Sequence, residues 1–280
     1  MELLLRISEA QSRIRNAFMD FDDKQFLSMR FNSLQDILIF GPNIISKSSE
    51  FSEMPNILSQ KEFYETNAQF GQFTQRTAKC VLVEKLLCIG IFKALPVFPK
   101  LDLKDKLIIL QFVAPALSML GNCFVSYELG SHTWMRKDGS YPMAAFSDQF
   151  SFRNDKKLFS LAIKSFNKPI EPFFRIGIVK EEFCLILALL FSNSDIPGLS
   201  ETARNILSIE SFRYSKMLLR YLQIYLGQDA GTKKYAECIH LIGNTFLAAK
   251  NFNLLITYKE AFYKRATVRS MMPTCLKAII

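Results

Sequence analysis

Residues 91–110 read Ile-Phe-Lys-Ala-Leu-Pro-Val-Phe-Pro-Lys-Leu-Asp-Leu-Lys-Asp-Lys-Leu-Ile-Ile-Leu. A nearly all-apolar helical stretch stops at Leu95-Pro96 and Phe98-Pro99, and a second one restarts behind Asp102. Proline ends the first because it has no amide donor and biases its predecessor away from the helical region. Asp102 stands where an N-cap belongs, and Asp105, three residues on, adds a second carboxylate at the positive end of the next helix. Upstream, residues 80–95 carry charge only at Glu84, Lys85 and Lys93. A helix that is apolar on every side must lie between other layers. The chain therefore has to fold as a layered helical domain.

Composition agrees with a large core. Of 280 residues, 49% are hydrophobic, which supports extensive burial and excludes a wholly disordered chain. Cys80, Cys88, Cys123, Cys184, Cys238 and Cys275 occur singly in apolar stretches with no Cys-x-x-Cys pair. They read as reduced core residues of an intracellular protein, with neither a disulfide framework nor a metal site. Leu3 to Leu5 before Arg6 is too short for the apolar core of a secretory signal. The net charge of +9 invites a nucleic-acid reading. Its best clusters, residues 153–157, Lys233-Lys234 and Lys264-Arg265, do not interleave with stacking aromatics, so solvated helix faces are favoured and no direct DNA binding by this chain is expected. Residues 107–127 hold no Asp, Glu, Lys or Arg, long enough to suggest a membrane span. Gln111, Pro115, Ser118, Gly121, Asn122 and Ser126 within it fit a core helix instead, and no membrane association is expected.

Local signals order the rest. Leu4, Ile7, Ile14 and Phe18 recur at helical period, predicting a helix over residues 2–19. Pro42, Pro55 and the serine-rich residues 46–52 read as a mobile connection over residues 41–60 with little to bury. Residues 1–60 are thus expected as an N-terminal helix and flexible connection, ahead of one domain over residues 61–280. Helices are predicted over residues 62–94 and from Asp102 to about residue 127. Asp138-Gly139 supplies the positive φ of a tight turn and predicts a hairpin over residues 134–141. A buried helix over 181–191, a turn at Asp195-Ile196-Pro197-Gly198, a helix from an N-cap at Ser200 to Gly227, and a last long helix over 232–264 complete the chain. No internal repeat appears.

Phe98, Leu101, Asp105 and Leu110, with Lys106 and Ile109 between them, fall at the spacing Phe-x-x-Leu-x-x-x-Asp-Gln-x-x-Leu-Leu, with Lys in place of Gln and Ile in place of the first Leu of the final pair. This resembles the helix 3 to helix 4 signature of nuclear hormone receptor ligand-binding domains. Glu182-Phe183 with residues 185–191, then Ile196-Pro197-Gly198-Leu199 and residues 214–225, resemble the helix 8 and 9 region of that family's expanded nematode branch. The resemblance covers residues 74–264 and implies an all-α, three-layer antiparallel helical sandwich with one small β-hairpin. It also implies a transcriptional regulator acting in the nucleus, with the cytoplasm as a second compartment. Receptors normally place an eight-cysteine zinc module before this domain. No cysteine precedes Cys80, so this chain is expected not to build that module: either it is a fragment or product lacking the DNA reader, or it acts through partners that have one.

By register, the resemblance implies a ligand pocket in which Thr77, Cys80, Val81, Glu84 and Cys88 face Ser118, Met119 and Asn122, with Glu84 and Asn122 as polar anchors for a small lipophilic ligand. A filled core is the alternative, since Met and Cys are good gap-fillers. No other cofactor and no metal is expected. Lys93, Phe98 and Gln111 would line a groove for amphipathic coregulator helices, Lys93 bonding the free carbonyls at a partner helix's C-terminus. Gln111 stands where many members carry a second groove lysine. Residues 271–277 would form the mobile last helix, yet no Asp or Glu follows Glu260, which implies weak or unconventional coactivator recruitment. Tyr235, Cys238, Ile239 and Ile242 would face a receptor dimer partner, although such a stripe equally fits core. A ligand-independent dimerisation module that titrates receptor partners is the second reading. Catalysis is not expected. Glu237-x-x-His240 lacks the second copy that di-iron bundles need, and no phosphate loop or hydrolase motif occurs.

Overall fold

Helices form where the apolar runs and capping signals place them. The computed structural model describes residues 1–63, 74–146, 154–263 and 267–280. Its helices are α1 (Glu2–Asn16), α2 (Asp23–Ser28), α3 (Leu34–Phe40), α4 (Gln75–Ala94), α5 (Leu103–Glu128), α6 (Lys156–Phe166), α7 (Glu171–Ile176), α8 (Lys180–Phe191), α9 (Glu201–Leu226), α10 (Gln228–Tyr263) and α11 (Val268–Met271). Short 3-10 turns include Ile44–Glu50, Phe98–Lys100 and Thr274–Ile279. The predicted helical residues 64–73 and the Lys264-Arg265 cluster lie outside the described residues.

Three layers follow from the packing. α5 and α8 pack on each other, on α4 and α1 at one side, and on α10 and α9 at the other. α5 is long and apolar enough to cross a bilayer, but most of it is buried between the outer layers. Aromatic stacks join the layers. Phe92 of α4 stacks on Phe191 of α8 at 4.9 Å and takes the edge of Phe98 at 5.1 Å. Phe124 of α5 stacks on Phe183 of α8 at 4.1 Å.

The signature carboxylate has a different task from the one its spacing suggests. Asp102 occupies the N-cap of α5 without a side-chain bond. Asp105, 3% exposed, instead accepts the Ser200 amide at 2.9 Å and the Ser200 hydroxyl at 2.7 Å. Ser200 Oγ in turn accepts the Ala203 amide at 3.1 Å, capping α9. Lys106 lies over the Phe98 ring at 4.4 Å, a cation–π contact that keeps the α4–α5 turn closed. In the Lys233-Lys234 cluster, Lys234 points inward, pairing with Glu182 at 2.7 Å and donating to the Gly177 carbonyl at 3.0 Å.

Two expectations are corrected. Residues 41–60 are not a connection with little to bury, because Ile44 and Phe51 join the core. Gly90 makes this possible: a Cβ there would sit 2.8 Å from Asn43 Oδ1 and 3.1 Å from Ile44 and Ile45, so only glycine lets that segment press onto α4. The hairpin at residues 134–141 is the second. Gly139 adopts φ +89° and its amide donates to the Arg136 carbonyl at 3.0 Å, but no strand occurs among the described residues. The Arg136 amide closes the turn on the Ser140 carbonyl at 3.0 Å, but pairing goes no further, since Trp134 donates to the Phe166 carbonyl at 2.7 Å and Met135 to Ser126 Oγ at 2.9 Å.

Removing the Asp105 carboxylate leaves Ser200 without its two acceptors. Asp105→Ala is expected to cost about 2–3 kcal/mol in urea unfolding, and the Asp105→Ala/Ser200→Ala pair less than the two single variants summed, the mark of one shared interaction, with the α9 cap as the further loss. All six cysteines are free and buried, and burial pushes the Cys80, Cys123 and Cys238 thiols up to about 12 and Cys184 to about 11. At pH 8 the native protein should give no fast reaction with a disulfide reagent, and all six thiols should react after denaturation.

Candidate functional site

Where α4, α5 and α10 face one another, and the chain terminus folds back over them, a cavity of about 90 Å³ remains. Thr77, Val81 and Glu84 of α4 and Ser118 and Met119 of α5 line it. Cys80, Cys88 and Asn122 do not. Cys80 packs beside Glu84, Cys88 faces the Ala114 carbonyl at 3.7 Å, and the Asn122 amide turns back along its own helix to the Ser118 carbonyl at 2.8 Å. Asn122 is therefore unavailable as an anchor. Register reasoning misses Lys85, Trp134, Arg136, Phe252, Ile256 and Ile280, which also line the cavity. Only Lys85 leaves a trace in the sequence, as a charge interrupting an apolar helix.

Two of the cations that line this cavity lie outside its ion pairs. Glu84 pairs with Arg15 of α1 at 3.5 Å, both side chains 8% exposed. Gly121 admits Arg15, since a Cβ there would lie 2.5 Å from its Nη2. Asp138 pairs with Arg76 at 3.2 Å. Lys85 and Arg136 remain. Lys85 Nζ, 5% exposed as a residue, donates to Ser118 Oγ at 3.1 Å, and burial pushes its ammonium below the usual lysine range. The Arg136 Nε is buried without a partner, and its Nη1 reaches only Ser140 Oγ at 3.5 Å. Among the described residues neither cation meets a carboxylate within ion-pair distance.

At the far end of α4, Lys93 Nζ donates to the Ile37 carbonyl at 3.1 Å and the Gly41 carbonyl at 2.9 Å. Both lie at the C-terminal end of α3, so the lysine bonds helix carbonyls, and the helix is the chain's own. Phe98 belongs to the Phe92 and Phe191 cluster, while Gln111 is exposed on α5. After Pro273 the chain makes the 3-10 turn Thr274–Ile279, with Cys275, Leu276 and Ile279 buried, in place of a regular last helix. This turn packs on α3 and α5.

The stripe expected at a dimer surface divides. Cys238 is fully buried and Tyr235 and Ile242 pack against the core, leaving Ile239 exposed. The three inward residues follow from α10 packing along α5, α6 and α9. Glu237 and His240 share a helix face, but no group of three or more His, Cys, Asp or Glu gathers among the described residues.

The pattern described as the ligand-binding domain of nuclear hormone receptors matches residues 74–242, more than half of the chain. The chain is 25% identical over 184 residues to nuclear hormone receptor family member nhr-154 of Caenorhabditis elegans, an alignment covering 64% of this chain and 38% of that protein. It is 26% identical over 172 residues to nhr-60 of the same organism, covering 61% and 35%. It is 23% identical over 156 residues to nhr-1, covering 56% and 34%. The chain thus spans little more than a third of the length of the curated relatives it matches. With α4 and α5 carrying the signature between two outer layers, this chain belongs to the nuclear hormone receptor family and carries its ligand-binding domain, in the form found in the nematode branch.

Proposed function

We propose that this chain is the regulatory part of a nuclear receptor-type transcriptional regulator, taking an anionic, mostly apolar small molecule between α4, α5 and α10 and signalling through its C-terminal turn. One observation carries this reading. The terminal segment touches both places at once, with Ile280 at the cavity and residues 274–279 against α3 and α5. A molecule that moves Ile280 therefore changes the surface offered to coregulator helices, provided it binds one arrangement of the terminus better than others.

The charge of the ligand follows from Lys85 and Arg136. Burying an ammonium without a carboxylate is costly, and a ligand carboxylate would remove that cost. The site residues are then Lys85 and Arg136 at the acid end and Val81, Met119, Phe252 and Ile256 along the apolar tail. At about 90 Å³ the cavity is smaller than the ~300–1,000 Å³ usual for ligand pockets, so entry requires side chains such as Met119 to repack. Coregulators with amphipathic helices, and a receptor dimer partner seated along α10 at Ile239, are the partners of this reading, and the nucleus is its compartment. Direct DNA contact then falls to a partner or to another part of the receptor. The second reading, a ligand-independent dimerisation module, draws on α9, where Ile209, Phe212, Ile224 and Tyr225 are each at least 69% exposed. A monomer mass independent of dilution in light scattering would remove it.

A long-chain fatty acid should raise the melting temperature by several degrees and appear as an adduct in native mass spectrometry, while the matching alcohol does neither. Equal behaviour of acid and alcohol would overturn the anionic class. Lys85→Met should raise the melting temperature of the unliganded protein by removing the unpaired charge, and abolish the fatty-acid shift. The Lys85 penalty is present in full below its depressed folded pKa and fades as pH rises toward the ordinary lysine range, so the wild-type deficit against Lys85→Met should narrow in alkaline buffer.

A further inference from the structure

We infer that α3 is a resident occupant of the chain's own helix-binding groove, holding in cis the position that a Leu-x-x-Leu-Leu partner helix would take in trans. Its sequence is Leu34-Gln35-Asp36-Ile37-Leu38-Ile39-Phe40, with apolar anchors at i, i+3 and i+4. Leu34, Ile37 and Leu38 are 6%, 0% and 4% exposed, whereas Ile39 and Phe40 on the outer side are 48% and 74% exposed. A seven-residue helix does not persist in water by itself. This one is held by its buried face and by both of its ends. At its start the Ser33 and Asp36 side chains cap each other's backbone amides at 3.1 and 2.9 Å. At its finish Lys93 bonds the Ile37 and Gly41 carbonyls. Its seat is formed by α5 and the terminal turn Thr274–Ile279, with Lys93 of α4 at one edge.

Three apolar anchors and a lysine at the C-terminal carbonyls are the grip that helix-in-groove recognition uses. α3 satisfies all of it. Lys93 cannot serve a second helix while bonded to the first, so an incoming coregulator helix must expel α3. The inference rests on the coregulator reading above and adds to it a resident competitor, encoded within residues 33–41 and bearing Ile where the partner motif has its second Leu.

The test measures anisotropy of a fluorescent synthetic Leu-x-x-Leu-Leu peptide on the full chain. Ile37→Asp, which ejects α3, should tighten binding at least tenfold. Ser33→Ala, which weakens α3 from outside the groove, should tighten it about fivefold, the loss of one helix cap expressed as an affinity ratio. Adding Lys93→Ala to Ile37→Asp should remove the gain. In the wild-type chain, saturating peptide should accelerate hydrogen exchange at the amides of Leu34–Phe40, a readout independent of any variant's folding. Equal affinity for wild type and Ser33→Ala with unchanged exchange would overturn the inference and leave the coregulator groove standing. Absence of peptide binding to wild type and to every folded variant would overturn both.

Discussion

A helix with apolar side chains all round is stable in water only when other elements cover every face of it, and residues 113–124 of α5 form such a helix. That single demand places α4 and α1 on one side of it and α10 on the other, and recruits α8 as its companion in the middle layer. The price is a long path of tightly packed side chains across the domain, in which a few polar groups have to be accommodated. They are accommodated by pairing. Glu84 has Arg15, Glu182 has Lys234, and Asp105 has Ser200. Lys85 and Arg136 meet no carboxylate within ion-pair distance among the described residues, and both line the cavity between α4, α5 and α10.

The positions of α4, α5, α8, α9 and α10 are legible in the sequence because their signals are local. Proline stops α4 at Leu95, Ser200 caps α9, and Gly227, with φ +84°, separates α9 from α10. What local signals miss is where a side chain finds its partner at long range. Asp105 looks like a helix-terminal carboxylate and bonds a residue on another helix. Asp138-Gly139 makes the turn that its sequence demands, closed by the Arg136 amide on the Ser140 carbonyl, but the amides of Trp134 and Met135 go to Phe166 and Ser126, so no strand is built on it.

The candidate site is legible to the extent that helix register reaches it. Thr77, Val81 and Glu84 share a face of α4, and Ser118 and Met119 share one of α5. Arg136 and Ile280 arrive from a loop and from the chain terminus, where no periodicity exists to predict direction. Lys93 bonds carbonyls of the chain's own α3, a partner that the sequence does not announce. α3 is too short to announce itself by period, and its apolar triplet Leu38-Ile39-Phe40 reads equally well as a strand.

The bond between Asp105 and Ser200 spans 95 residues of sequence. The hydroxyl that caps α9 is thus itself held by a group on a helix made much earlier in the chain. Closing so long a loop costs more entropy than a local turn, though the cost grows only slowly with length. α9 has its own capping serine, but the position of that serine depends on α5 in the middle layer. One carboxylate thus ties the start of an outer-layer helix to the middle layer, so a change at this contact is felt in two layers at once.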